Sequence, residues 1–138
     1  MSGEELKHAL MNYHQIYKWW EVNDVRIQAI IYEMEGVKGI RYDKEISKGG
    51  SPINFDEKML NFIKIKDELI VSSKHYAHMV EEVHNFIAWL EEPFKTMVSD
   101  KYIGEMCNTK LEHKYNYSSR GIQYIIDGLV SKYYESFP

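Results

Sequence analysis

Residues 108–134, NTKLEHKYNYSSRGIQYIIDGLVSKYY, read as a short helix, a tight turn and a longer second helix. Leu111 and Tyr115 are four apart and share one face of the first helix. Asn116 stands at the turn, where tolerance of left-handed backbone geometry is useful. Tyr117 is expected to plug the turn, and Ser118 to cap the helix that follows. Ile122 and Ile125, three apart, then point back at the first helix. Ser119, Arg120, Gln123, Tyr124 and Asp127 are left for the outer face.

Upstream of this stretch, Phe94–Ile103 reads as a further short helix with Phe94, Met97, Val98 and Tyr102 apolar, broken by Gly104. Residues 93–138 therefore form a three-helix module of helix-turn-helix type. Before Pro93, which ends a helix, the apolar residues keep time in sevens. Leu6, Tyr13, Trp20, Ile27 and Met34 form one such row, flanked by Ile16 and Ile30, and predict a helix over about 4–35 that stops at Gly36 and Gly39. Phe55, Phe62, Leu69, Tyr76, Val83 and Leu90 form a second row, with Met59, Val80 and Ile87 beside it. Asn54 is placed to cap that helix, with Glu57 reaching back. Sustained heptads on two long helices predict an antiparallel hairpin or coiled coil over residues 1–92, with a polar loop at 36–53. The fold class expected is all-α: a long antiparallel helical hairpin followed by the small module.

Composition narrows the function classes. Hydrophobic residues make up 44% and charged residues 28% of the 138, the balance of an ordered globular chain. One cysteine, Cys107, excludes an intrachain disulfide framework and a multi-cysteine zinc site. No stretch reaches ~18 apolar residues without a charge, so no membrane span is expected. The N-terminal MSGEELKHAL carries acids where a signal peptide carries bases, and a reducing cytoplasm fits best.

The net charge of −4 is unevenly spread. The two long helical segments are acidic, whereas residues 36–53 and 93–138 lean basic, with four basic against two acidic and six against five side chains. Such a balance permits nucleic-acid contact without demanding it.

Catalytic constellations are not expected. Glu81–Glu82 and Glu91–Glu92 are adjacent in sequence and diverge on a helix, so neither makes an acid/base pair. His75 and His78, three apart with Glu82 beyond, have a spacing that suits zinc, but no second pair completes a tetrahedral site and a solvated helix face is the reading adopted. His84 is read as packing or snorkelling, and Cys107 as a small packed residue. No phosphate-binding Gly-rich loop or nucleophile elbow is present. The chain is therefore expected to be a non-enzyme without cofactor or metal.

The remaining candidates concern binding. Arg120 suits guanine and Gln123 adenine in the major groove. Ser118 and Ser119 sit where a helix N-terminus attracts phosphate, and Lys110, Lys114 and Lys132 are within a basic neighbourhood for backbone contact. Tyr124 and Asp127 complete the outer face. In the 36–53 segment Lys38, Arg41, Lys44 and Lys48 are candidates for a partner or the DNA backbone. Trp19, next to Trp20 on the heptad row, falls at the seam's edge and marks an interface.

Three pieces of the chain carry a family resemblance: IRYDKEISKGGSPINFDEKML (40–60), WLEEPFKTMVSDKYIGEMC (89–107) and KLEHKYNYSSRGIQYIIDGLVSKYY (110–134). Together they resemble the small phage transcriptional regulators of the ArpU/RinA type, in which a helical N-terminal part precedes a helix-turn-helix similar to the DNA-binding end of sigma factors. The resemblance implies a DNA-binding regulator, with double-stranded DNA as partner and RNA polymerase or another host protein as a further one, and the long heptads with Trp19 support a homodimer. Glu112 departs from the pattern, standing where a small residue is usual next to the apolar residue of the first helix. That departure gives the alternative: a protein-binding adaptor or inhibitor, an anti-host factor built on a repurposed helix-turn-helix scaffold.

Overall fold

The computed structural model describes the backbone of residues 1–47 and 52–137, and the side chains of residues 1–36 and 56–137. Among the described residues all regular structure is helical: α1 (Gly3–Met11), α2 (Tyr13–Ser47), α3 (Pro52–Trp89), α4 (Phe94–Val98) running on into a wide π turn (Ser99–Ile103), α5 (Asn108–Tyr115) and α6 (Ser119–Ser136). The fold is all-α, and α3 packs on α2. None of the described helices is long and apolar enough to cross a membrane.

Two compact units divide the chain, one made of residues Met1–Tyr17 with Ala77–Pro138, the other of Lys18–Tyr76. The first unit holds the apolar core. Leu6, Ala9 and Leu10 of α1 enter it with Tyr13 and Ile16 from the first turns of α2. Val83, Phe86 and Leu90 come from the end of α3, Met97, Val98 and Tyr102 from α4 and its π turn, and Leu111 from α5. Ile122, Ile126, Val130 and Tyr133 form the buried stripe of α6, at steps of four, four and three. Each buried Val, Leu, Ile, Met or Phe among them contributes about 1.5–3 kcal/mol by leaving water. Helix α1 lies against α6 so closely that a Cβ on Gly3 would touch Val130 Cγ1 at 3.5 Å. The Tyr133 ring packs edge-on against Phe86 and Trp89, with centroids 5.4 and 5.3 Å away. A hydrogen bond at 2.9 Å joins the Tyr13 hydroxyl to His84 Nε2, linking α2 to α3. Burial, the principal cause, and then neighbouring Tyr17 raise the Tyr13 hydroxyl above its ordinary pKa.

The second unit is the remainder of α2 and α3. Its seam is built from Trp20, Ile27, Ile30 and Met34 on one helix and Phe62, Leu69 and Tyr76 on the other, all half-buried. Trp19 is largely exposed at the edge and lays its ring beside Tyr76, centroids 5.8 Å apart.

Several expectations change. A helix predicted over 4–35 is interrupted at Asn12, whose backbone leaves the helical region at φ −112° and ψ 18° while its side-chain amide and backbone amide both donate to the His8 carbonyl, at 2.9 and 3.0 Å. Gly36 and Gly39 do not stop α2, which continues to Ser47. An isolated helical glycine costs only about 1 kcal/mol, and no proline intervenes before Pro52. Most of the polar loop expected at 36–53 is therefore helix. The side chains of Lys38, Arg41 and Lys44, together with all of Lys48, lie outside the described residues. Asn54 does not start α3 as expected, since that helix begins two residues earlier at Pro52, and its side chain lies outside the described residues. The compact units also fall elsewhere than at residue 92, because α1 and the two hairpin ends supply half of the core that encloses α6.

Candidate functional site

The candidate site is the α5–turn–α6 segment, all of it within the first unit. Asn116 closes α5 in left-handed geometry, φ 58° and ψ 34°, and its amide donates to the Glu112 carbonyl at 2.9 Å. The chain then extends through Ser118, whose hydroxyl accepts from the Gly121 amide at 3.0 Å and starts α6. Both features are those that the sequence predicts for Asn116 and Ser118. Tyr117 differs: it is 46% exposed and does not plug the turn. The joint is closed instead by Glu112, whose Oε1 accepts from the Ser119 amide at 2.8 Å and the Ser119 hydroxyl at 2.6 Å. These two hydrogen bonds hold the Glu112 carboxyl below its usual pKa. The amide end of α6 thus already has an anion, supplied from within the chain.

The inward face of α6 differs from the expectation too. Ile122 is buried as predicted, but its partner in the core is Ile126, while Ile125 is only half-buried. Packed against α1 and α3, α6 buries the stripe Ile122, Ile126, Val130 and Tyr133, which passes through 126 rather than 125.

Of the outer-face residues, two stand clear. Tyr124 is 80% exposed and Arg120 is exposed one turn before it. Gln123 is engaged inside the unit: its Oε1 accepts from Lys101 Nζ at 2.6 Å, and its Nε2 donates to Asp127 Oδ1 at 3.0 Å. Asp127 also lies 3.8 Å from Lys7 of α1. Burial, the principal cause, pushes the Lys101 ammonium below its ordinary pKa, partly opposed by Asp127, and burial raises the Tyr102 hydroxyl beside it. Lys114 is bound to Asp100 Oδ2 at 2.6 Å, and the Tyr115 hydroxyl donates to the same oxygen at 2.6 Å. Those two hydrogen bonds hold Asp100 below the usual carboxylate range, and the pairing raises Lys114. Lys110 and Lys132 are exposed.

The structure therefore sorts the predicted residues into two groups. Arg120, Tyr124 and Lys110 face solvent, and Ser118 is exposed while capping α6. Ser119, Gln123, Asp127 and Lys114 tie α5, α6 and the π turn together. Sequence reasoning missed Asp100, Lys101 and the clamp by Glu112, whose partners lie 7 to 22 residues away with no periodic signal joining them. Glu112 was visible only as a residue out of place. Among the described residues no group of three or more His, Cys, Asp or Glu is arranged to hold a metal ion. The chain matches no family model, no curated protein and no solved structure.

Proposed function

We propose that this chain is a phage-type DNA-binding transcriptional regulator of the ArpU/RinA kind, dimeric and acting through its C-terminal helix-turn-helix. The observation that carries the reading is the joint at Asn116 and Ser118, which turns a short bracing helix into a capped α6 with Arg120 and Tyr124 exposed on successive turns. A helix so presented fits the major groove, where the Arg120 guanidinium pairs with the O6 and N7 acceptors of guanine. Tyr124 supplies a ring for a thymine methyl and a hydroxyl for a phosphate. Exposed Lys110 and Lys132 supply backbone contacts, and Ser118 keeps the helix start rigid. Gln123 braces the module rather than reading a base, since both ends of its amide are already hydrogen-bonded.

The test is a gel shift on the DNA upstream of the chain's own gene at several salt concentrations. Arg120→Ala and Tyr124→Ala are each expected to lower affinity by roughly 5- to 150-fold, the range that a loss of ~1–3 kcal/mol gives. Wild-type binding is expected to weaken steeply with salt. Absent or salt-independent binding overturns the proposal.

A second reading, a protein-binding adaptor, is favoured by Glu112. Its carboxylate occupies the amide end of α6 and repels a phosphate from the place where one would be held best. The exposed Tyr117, Arg120 and Tyr124 are of the residue types that anchor protein interfaces. Retention of a host protein at a salt concentration that abolishes DNA binding, lost in Tyr124→Ala, would establish this reading over the first.

A further inference from the structure

The unit Lys18–Tyr76 is short of buried apolar surface. Among its described residues no apolar side chain is fully buried, and the one side chain that is, Asn23 at 7% exposure, is polar. Two helices alone enclose only one seam, so apolar residues elsewhere on them stay in water. On α2 these residues are ordered. Val22, Val25, Ala29, Tyr32 and Gly36 follow at steps of three, four, three and four, on the side roughly opposite the seam with α3, and all are exposed. Val25 is 68% and Tyr32 78% exposed. Gly36 belongs to the same stripe, and a Cβ placed there would meet nothing within 4 Å. Nothing described in the chain explains a helical glycine at that position, which costs about 1 kcal/mol relative to alanine.

We propose that this face receives a second copy of the chain, α2 against α2 in antiparallel sense, about a two-fold axis near positions 30 and 31. The inference rests on the dimeric part of the proposed function and names its surface. In this register Tyr32 lies over Ala29 and Val25 over Gly36, a large side chain over a small one, so the glycine admits a side chain from the other protomer. The charges agree. Arg26 and Glu33 lie on the same edge of the stripe, and in an antiparallel pair like edges meet, so each Arg26 faces the other copy's Glu33. Among the described residues neither makes an ion pair within the chain. On the opposite edge Gln28 faces Glu35, with no like charges opposed. The stripe is ~21 Å long at 1.5 Å per residue, a small interface, so association depends on concentration.

Sedimentation of the full chain without DNA, over a range of concentrations, tests the surface. The mass is expected to rise from 16.4 kDa toward twice that value. Val25→Glu and Tyr32→Glu should stay monomeric with unchanged helical circular dichroism, since both side chains are already in solvent. Arg26→Glu should weaken the dimer about tenfold, and Arg26→Glu combined with Glu33→Arg should restore it. In a parallel pair Arg26 would instead face Glu21, and the double exchange would not restore association. A wild type that is monomeric throughout, a dimer indifferent to these variants, or failure of the double exchange would each overturn the proposal. A monomer that still shifts DNA would remove this surface and leave the DNA reading standing, whereas a dimer that shifts none would do the reverse.

Discussion

Glu112 shows how much turns on one side chain. Its sequence position argues against close helix packing, because a carboxylate stands where a small residue is usual. In the structure the side chain instead reaches across the turn and accepts two hydrogen bonds from Ser119. Glu112→Ala is expected to lower the thermal midpoint by freeing the first amide of α6, and Glu112→Gln to recover part of it through its remaining carbonyl oxygen. Asp100, holding Lys114 and Tyr115, plays the same part between the π turn and α5. Both carboxyls sit below their unfolded pKa, so the stability they add is present above the ordinary carboxylate range near ~4 and is lost as pH falls through their lower folded values. A thermal midpoint followed from pH 6 downward should therefore fall, and fall less in Asp100→Asn, which has already lost its share. At the turn, Asn116→Ala should cost about 1–2 kcal/mol in denaturant unfolding, and Asn116→Gly little, because only the former penalises the left-handed backbone.

Helices are where the sequence was most legible, and their ends the least. Spacing in sevens identified two long helices and the seam between Trp20–Met34 and Phe62–Tyr76, though it ran α1 into α2, and the Asn116–Ser118 pair located the break between α5 and α6. The error at Gly36 and Gly39 has a plain cause: a glycine is a strong stop only where the backbone must turn, and α2 runs straight through both to Ser47. The glycines of α6 make the same distinction measurable. A Cβ at Gly121 would lie 3.1 Å from the Ser118 hydroxyl that caps the helix, whereas one at Gly128 would meet nothing within 4 Å. Gly128→Ala should therefore stabilise the module by up to about 1 kcal/mol, while Gly121→Ala should give less or destabilise, as read from chemical denaturation. Ile126→Ala, which opens a cavity under α6, should cost about 2–5 kcal/mol by the same measurement.

Among the described residues the apolar core is concentrated in the unit Met1–Tyr17 with Ala77–Pro138, and the unit Lys18–Tyr76 holds a half-buried seam. Amide hydrogen exchange should reflect this, with protection greatest over Val83–Leu90 and Ile122–Val130 and lower over Ile27–Met34 and Leu69–Tyr76. Uniform protection through both units would contradict that division. The sequence by itself determined the helical class, the heptad seam, the three C-terminal helices and two features of the turn between the last two, the left-handed Asn116 and the Ser118 cap. These are local matters, set by periods of three and four, by proline and by residues that bond within a few positions. Only the tertiary structure decided that α1 packs on α6, that Ile126 rather than Ile125 enters the core, and that Gln123, Ser119 and Lys114 are held by Lys101, Glu112 and Asp100, which leaves only Arg120 and Tyr124 of the expected outer face clear. These choices depend on which distant side chains meet, and a hydrogen bond between residues 22 apart leaves no period in the sequence.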